Sequence, residues 1–333
     1  MMTRILSRNI FTLSPKILSH VLTVCLAGFV GLGMMSSSAA IAANSSPLPS
    51  WQPGEVKNTI LDFVADVTNT QSPHFVEVGD RIAVFDNDGT LWSEKPCYFQ
   101  ESFILYRQGS TDTCFPKSVK QDLRPLTEEE KILMDVQFNG AITTEHYKQE
   151  AHEFLTTVNQ VDFNRPYVEL TFQPLLELLD YLRENDFKVY ICSGGGIDFI
   201  RSFAEEAYGI PPENVIGSAI LSKFVIQEGN PVLVRLPIPV LPVNNQAGKP
   251  VGIERYIGKR PIMAVGNSTG DLEMLQYTDD GQGRDLMMLV HHDDPDREYQ
   301  YDKGAEEALV EAAVRGWSVI SMKNDFSQVF PWE

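Results

Sequence analysis

Apolar and polar positions along the chain fall into three regimes. Residues 17–35 are an apolar run without a charged side chain, preceded by Arg4, Arg8 and Lys16 and followed by small residues ending Ala40-Ile41-Ala42. That order predicts a signal peptide over residues 1–42, and the length of the run leaves an uncleaved membrane anchor as the alternative. Beyond a polar linker at 44–53, short apolar runs alternate with segments of helical period. Ile60, Phe63, Val64 and Val67 place a helix over 56–67, and Ile82 to Phe85 form a four-residue apolar run that suits a buried parallel strand.

After residue 93 the period changes. Thr127 and Glu130 make a capping box ahead of Ile132, Leu133 and Val136, and Tyr147, Ala151, Phe154, Leu155 and Val158 mark a second helix over 144–158. No strand pattern stands out there, so residues 94–173 read as an inserted helical domain. Alternation resumes at Pro174 with a helix to 184, a strand over 187–192 ending in Ser193-Gly194-Gly195-Gly196, and a helix over 197–208 stopped by Gly209. Residues 224–234, interrupted by Glu228-Gly229-Asn230-Pro231, predict a hairpin, and Pro237, Pro239 and Pro242 keep the next stretch extended. Helix 251–257, strand 262–265, loop 266–270, helix 271–277, strand 286–290, helix 305–315 and strand 318–322 complete the series. Strands alternating with helices imply an α/β core, residues 51–93 and 174–333, built on a parallel sheet with both faces covered.

Composition narrows the function classes. The chain has 333 residues, 43% hydrophobic and 22% charged, which is ample for a large core. Without residues 1–42 the 27 Lys and Arg fall by three to 24 against 45 Asp and Glu, a formal charge of −21. That excess argues against nucleic acid and reads as the solubility of an exported, periplasmic protein. A phosphate substrate then needs local positive charge. Of the cysteines after the signal, Cys97 and Cys114 flank a polar segment and are expected to form a disulfide, whereas Cys192 in an apolar run is expected to be a buried thiol.

The chemistry collects at strand ends. Asp86 and Asp88 follow the first core strand, where ligands bind in open α/β sheets, and Gly89 allows a sharp turn beside them. If the strands lie side by side, their carboxyl ends bring together this pair, Ser193 with its glycines, Lys249, and Asn267 with Asp271. The set suits phosphoryl transfer. Asp86 is the candidate nucleophile, and Asp88 the acid that protonates the leaving alkoxide and then the base that activates water. Ser193 and the N–H groups of Gly194 and Gly195 are placed for phosphate oxygens, with Lys249 as a point positive charge. Mg²⁺ would take the Asp86 carboxylate, the Asp88 main-chain carbonyl and the Asn267 side-chain oxygen, with Asp271 behind them or bound through water.

These motifs, in the order Asp86-Asn87-Asp88-Gly89-Thr90, Ser193, Lys249 and Gly266-Asn267-Ser268-Thr269-Gly270-Asp271, resemble those of haloacid dehalogenase superfamily phosphatases. The insert and the Ser193-Gly194-Gly195 segment are similar to the phosphoserine phosphatase subgroup. The resemblance implies a Rossmann-like three-layer fold with an inserted cap, and a Mg²⁺-dependent phosphomonoesterase acting on a small organic phosphate. It also implies a substrate contact for Glu94, against the plain reading of an exposed glutamate. Asn267 departs from the family's usual Asp and keeps a non-catalytic phosphate-binding module as an alternative; phosphotransfer through the same intermediate is another. Asp88 favours a phosphatase over a dehalogenase, which lacks an acid there. Trp92 either lines the pocket or packs beneath the cap. In His291-His292-Asp293-Asp294, adjacent histidines point apart and no further ligand spacing supports a cluster, which argues against zinc.

Overall fold

In the computed structural model, the residues described are 47–110, 114 and 142–333. The apolar run before residue 43 and the capping-box helix at Thr127 lie outside them. Ile82–Phe85 is strand β1, buried at all four positions. Its neighbours are parallel strands on both sides: β4, Lys188–Gly196, with Phe85 opposite Ile191, and β8, Met263–Gly266, with Phe85 opposite Val265. Outward from β4 lies β5, Val215–Ser218; outward from β8 lies β9, Leu286–Asp293, whose far edge carries β10, Gln300–Tyr301, and β11, Ser318–Ser321. Only β10 in this seven-stranded sheet runs antiparallel.

The two faces of β1 are covered separately. Ala83 and Phe85 join one apolar cluster, Ile82 and Val84 the other, as the two-residue period of a strand requires. Helix α1, Glu55–Thr68, buries Ile60, Phe63, Val64 and Val67 in the first cluster, as its spacing predicts. The insert contributes α2, Phe99–Arg107, and α3, Thr144–Thr157, the latter capped by the Thr143 hydroxyl on the His146 amide. Their inward faces, Phe103, Tyr147, Phe154 and Leu155, belong to that same cluster, so the roof over the sheet and the sheet share one apolar core. The insert also holds β2, Asn159–Gln160, and β3, Arg165–Pro166, too short to show a period in sequence.

Helix α4, Gln173–Glu184, leads into β4. The helix expected over 197–208 is broken into α5, Ile197–Ile200, and α6, Ala204–Tyr208, closed by Gly209 in the left-handed region. The hairpin is longer than expected: β6, Ile220–Gln227, pairs with β7, Asn230–Pro239, around Glu228 and Gly229, both at positive φ. Its second strand braces the insert, since the Arg235 amide donates to the Ile142 carbonyl and the Arg235 guanidinium stacks 3.5 Å over Tyr147. Helix α7, Gly248–Tyr256, starts three residues earlier than its apolar period suggests and so includes Lys249 in its first turn. Helices α8, Leu272–Thr278, α9, Glu306–Arg315, and α10, Met322–Asp325, complete the fold. Cys97 and Cys114 are disulfide-bonded and Cys192 is a buried free thiol whose pKa burial pushes up to about 11. Among the described residues no helix is long and apolar enough to cross a membrane.

Candidate active site

The order β4-β1-β8 sets the site, because the chain leaves β1 in the middle and the strands on its two sides come from different crossovers. The loops after β1, β4 and β8 therefore open into one crevice. At its floor, Lys249 Nζ donates to Asp86 Oδ1 at 2.7 Å and to Asp271 Oδ1, with all three side chains buried. Asp271 is held in place by its other oxygen, which accepts the amides of Asn267 at 2.9 Å and Ser268 at 3.0 Å. Two carboxylates against one ammonium leave the floor negative. Burial raises the pKa of Asp86 well above the ordinary carboxylate value; Asp271 adds to the rise and Lys249 opposes it. Burial alone would lower the Lys249 ammonium, but Asp271 and Asp86 outweigh it and the lysine stays charged.

Asp88 projects from the turn that follows. Its Oδ1 accepts the Trp92 indole N–H at 2.8 Å, and its Oδ2 lies over Gly195, 3.5 Å from where a Cβ there would stand. Of the two roles its sequence position left open, Trp92 takes the packing one: it is fully buried, and it reaches the site through its indole N–H. Its ring stacks on Phe203 at 4.3 Å and meets Phe99 edge-on at 4.6 Å, while its nitrogen orients Asp88. Gly89 sits at φ +73, and a Cβ would fall 2.0 Å from Asn267 Nδ2, so any other residue here would be strained and would displace that amide.

The phosphate loop is fixed from beneath. Ser193 Oγ accepts the Gly195 amide at 3.1 Å, Asn244 Nδ2 donates to the Ser193 carbonyl at 2.9 Å, and Ser218 Oγ donates to the Gly194 carbonyl at 2.8 Å. From above, Gln100 on α2 accepts the Gly196 amide at 2.8 Å and lies 3.5 Å from Tyr147 Oη. A Cβ at 196 would stand 2.7 Å from the Gln100 amide, which explains the third glycine of the run: it admits the roof. Asn245 lies against Gly194 and Gly270, bridging two loops. Tyr208 donates to Asn87 Oδ1 at 3.1 Å, its pKa raised by burial and then by Asp88 and Asp86.

Every sequence-predicted member of the phosphate and acid set therefore meets in one crevice, and Glu94 lies beside it. Glu94 is buried, pairs with Lys95 at 2.7 Å, and has its carboxyl carbon 3.0 Å from a Cβ at Gly89; it is not an ordinary exposed glutamate. His291 pairs with Asp302 on the surface while His292 turns inward. Gln100, Asn244, Asn245 and Tyr208 were not foreseen. Their carboxamides and hydroxyl act on backbone and neighbours at long range, and no spacing in the sequence encodes that.

Whether the residues fit a hard divalent cation turns on Asn267. Among the described residues no three His, Cys, Asp or Glu side chains form a metal cluster, so the donor set rests on one carboxylate, one main-chain carbonyl and one amide. The buried Asn267 amide accepts the Thr90 hydroxyl only at 3.3 Å, and its Nδ2 has no partner. Oxygen and nitrogen of an amide are assigned from hydrogen bonding. Turned over, the nitrogen serves Thr90 and the oxygen takes the unsatisfied position, where a cation satisfies it. With the Asp86 carboxylate and the Asp88 main-chain carbonyl, that oxygen belongs to the donor chemistry a hard divalent cation takes.

The haloacid dehalogenase-like hydrolase family model matches residues 83–276, more than half of the chain. No curated protein matches. Among solved structures, a conserved protein of unknown function from Anaerococcus prevotii DSM 20548 is similar at 18% identity, with a TM-score of 0.52 over 80% of this chain and 91% of the other. A protein of unknown function from Bordetella pertussis Tohama I is 15% identical, with a TM-score of 0.49 over 72% and 98%. A phosphoserine phosphohydrolase-like protein from Francisella tularensis subsp. tularensis SCHU S4 is 16% identical, with a TM-score of 0.39 over 72% and 94%. At these identities the first likeness is one of fold.

Proposed function

The chain belongs to the haloacid dehalogenase-like hydrolase family, and from that premise we propose that it is a Mg²⁺-dependent phosphomonoesterase acting on a small organic phosphate. The observation that carries the reading is the buried floor: a carboxylate at the tip of the central strand, paired with one lysine, and a second carboxylate two residues on.

Asp86 attacks the phosphorus and the ester P–O bond breaks. Asp88, in its acid form, gives its proton to the departing oxygen. The aspartyl phosphate so formed is then hydrolysed when Asp88, now a carboxylate, takes a proton from the attacking water. The Lys249 ammonium and the glycine-loop amides, with the Gly195 amide exchanging its bond to Ser193 Oγ, meet the charge on the phosphoryl oxygens. Asp86, the Asp88 carbonyl and Asn267 would hold Mg²⁺, which would supply positive charge that keeps Asp86 ionised and offsets its repulsion from the phosphate. Gln100, over the glycine loop, and Glu94, beside the Gly89 turn, are our candidates for contact with the organic part of the ester.

The Cys97–Cys114 disulfide supports an exported, periplasmic setting, and the acidic balance supports small molecules over nucleic acid as partners. The test is hydrolysis of p-nitrophenyl phosphate with and without Mg²⁺. The reading expects metal-dependent release from the wild type and none from Asp86→Asn; a wild type inactive across divalent metals would overturn it.

A further inference from the structure

Two side chains from beyond residue 276, outside the family match, reach the catalytic turn. His292, near the end of β9, and Glu298 are 2% and 5% exposed. His292 Nε2 lies 2.8 Å from the Gly89 carbonyl oxygen and Nδ1 lies 3.1 Å from Glu298 Oε2. Glu298 Oε1 accepts the Ser93 hydroxyl at 2.6 Å, and Oε2 also accepts the Tyr299 amide at 2.6 Å. Tyr301 stacks on the imidazole, ring centroids 4.4 Å apart.

The acceptors dictate where the hydrogens lie. A carbonyl oxygen only accepts, so Nε2 carries a hydrogen; a carboxylate only accepts, so one more proton lies between Nδ1 and Oε2. With that proton on either atom the pair has no net charge, and it adds none to a crevice that already holds Asp86, Asp88 and Asp271. Such a satisfied buried network specifies one geometry.

That geometry belongs to the turn bearing Asp88. Within it, the Gly89 amide donates to the Trp92 carbonyl and the Leu91 amide to the Asn87 carbonyl, while the Trp92 indole holds Asp88. His292 grips the turn at the Gly89 carbonyl, and Glu298 grips its exit at Ser93. We propose that His292 and Glu298 are positioning residues that, through the Gly89 carbonyl and the Ser93 hydroxyl, hold the Asp88 carboxyl against the leaving-group oxygen. The assignment rests on the phosphatase reading, and neither residue touches the reacting atoms.

A misplaced general acid matters in proportion to how badly the leaving group needs a proton. The test is therefore kcat/KM across substituted phenyl phosphates, from p-nitrophenyl, which leaves with little help, to p-methoxyphenyl, which does not. His292→Asn, which loses the donor to Gly89, is expected to lose about 3-fold on the first ester and about 30-fold or more on the last, within the range that general acid catalysis supplies. His292→Gln, whose amide nitrogen reaches the Nε2 position, restores most of that difference. Ser93→Ala gives a smaller bias of the same sign and serves if His292→Asn does not fold. Equal losses on all esters, or none, in variants that fold would overturn the assignment while leaving the phosphatase reading intact. A wild type that hydrolyses no ester would overturn both.

Discussion

At the floor of the crevice Lys249 bridges Asp86 and Asp271, and Asp271 in turn holds two backbone amides, with every charged group buried. At the roof Gln100 reaches the glycine loop through one 2.8 Å bond and a 3.5 Å contact to Tyr147, and the hairpin that braces it exposes Phe224 and Ile226. The floor is held by buried, charge-assisted bonds, whereas Gln100 meets the glycine loop through a neutral amide bond. Groups that must stabilise a phosphoryl transition state gain from rigid, dry placement, whereas groups that admit and release an ester need contacts that can be exchanged. Trp92 joins the two, with its nitrogen on Asp88 and its ring against Phe99 of the roof.

The comparison breaks first at Lys249. Lys249→Met leaves two buried carboxylates without a counter-charge; stability should fall by about 3–5 kcal/mol and p-nitrophenyl phosphate hydrolysis should vanish, as read by urea unfolding and initial rates. A variant of wild-type stability would mean that the floor is not rigid in this sense. Next, Trp92→Phe keeps most of the stacking but removes the donor to Asp88. The expected loss is about 10-fold in kcat with about 1–2 kcal/mol of stability, far less than the loss at the floor. Gln100→Ala sharpens the contrast from the other side: its Tm should stay within a few degrees of the wild type while KM changes by several-fold, because the Gly196 amide is released to the substrate.

The smallest effect lies outside both regions. Burial first, then Asp280 and Asp279, push the pKa of Asp285 up to about 6, against the pull of Arg260. The folded protein then binds that proton more tightly than the unfolded chain, so its contribution is full below pH 3.8 and is lost as pH rises through about 6. Asp285→Asn should raise the Tm at pH 7.5 and not at pH 3.5. Because the group is half exposed, the gain should be under about 1 kcal/mol.

Much of this was legible in sequence because the motifs carry short-range information. The apolar run Ile82 to Phe85 fixes a buried strand, and a strand so short forces Asp86 to its tip. Asn267 follows from the same rule at the end of β8, whereas Ser193, inside a β4 that runs on to Gly196, and Lys249, in the first turn of α7, are marked by their order in the motif set. What escaped was made by partners far apart in the chain. Gln100 meets Gly196, and His292 meets Gly89, only after the sheet orders its strands, and neither residue type marks its own role. The hairpin is longer than its sequence suggests because Pro237 and Pro239 argue only against a central strand, and β7 is a strand of a two-stranded ribbon, where a missing N–H is tolerated.

The most direct measurement is to find the residue that carries the phosphoryl group during turnover. Protein quenched in acid during hydrolysis and reduced with borohydride converts an aspartyl phosphate to homoserine, which peptide mass spectrometry locates. Homoserine at position 86 in the wild type, and its absence in Asp86→Asn, is the predicted result. Turnover with residue 86 unmodified, or homoserine at another position, would contradict the account.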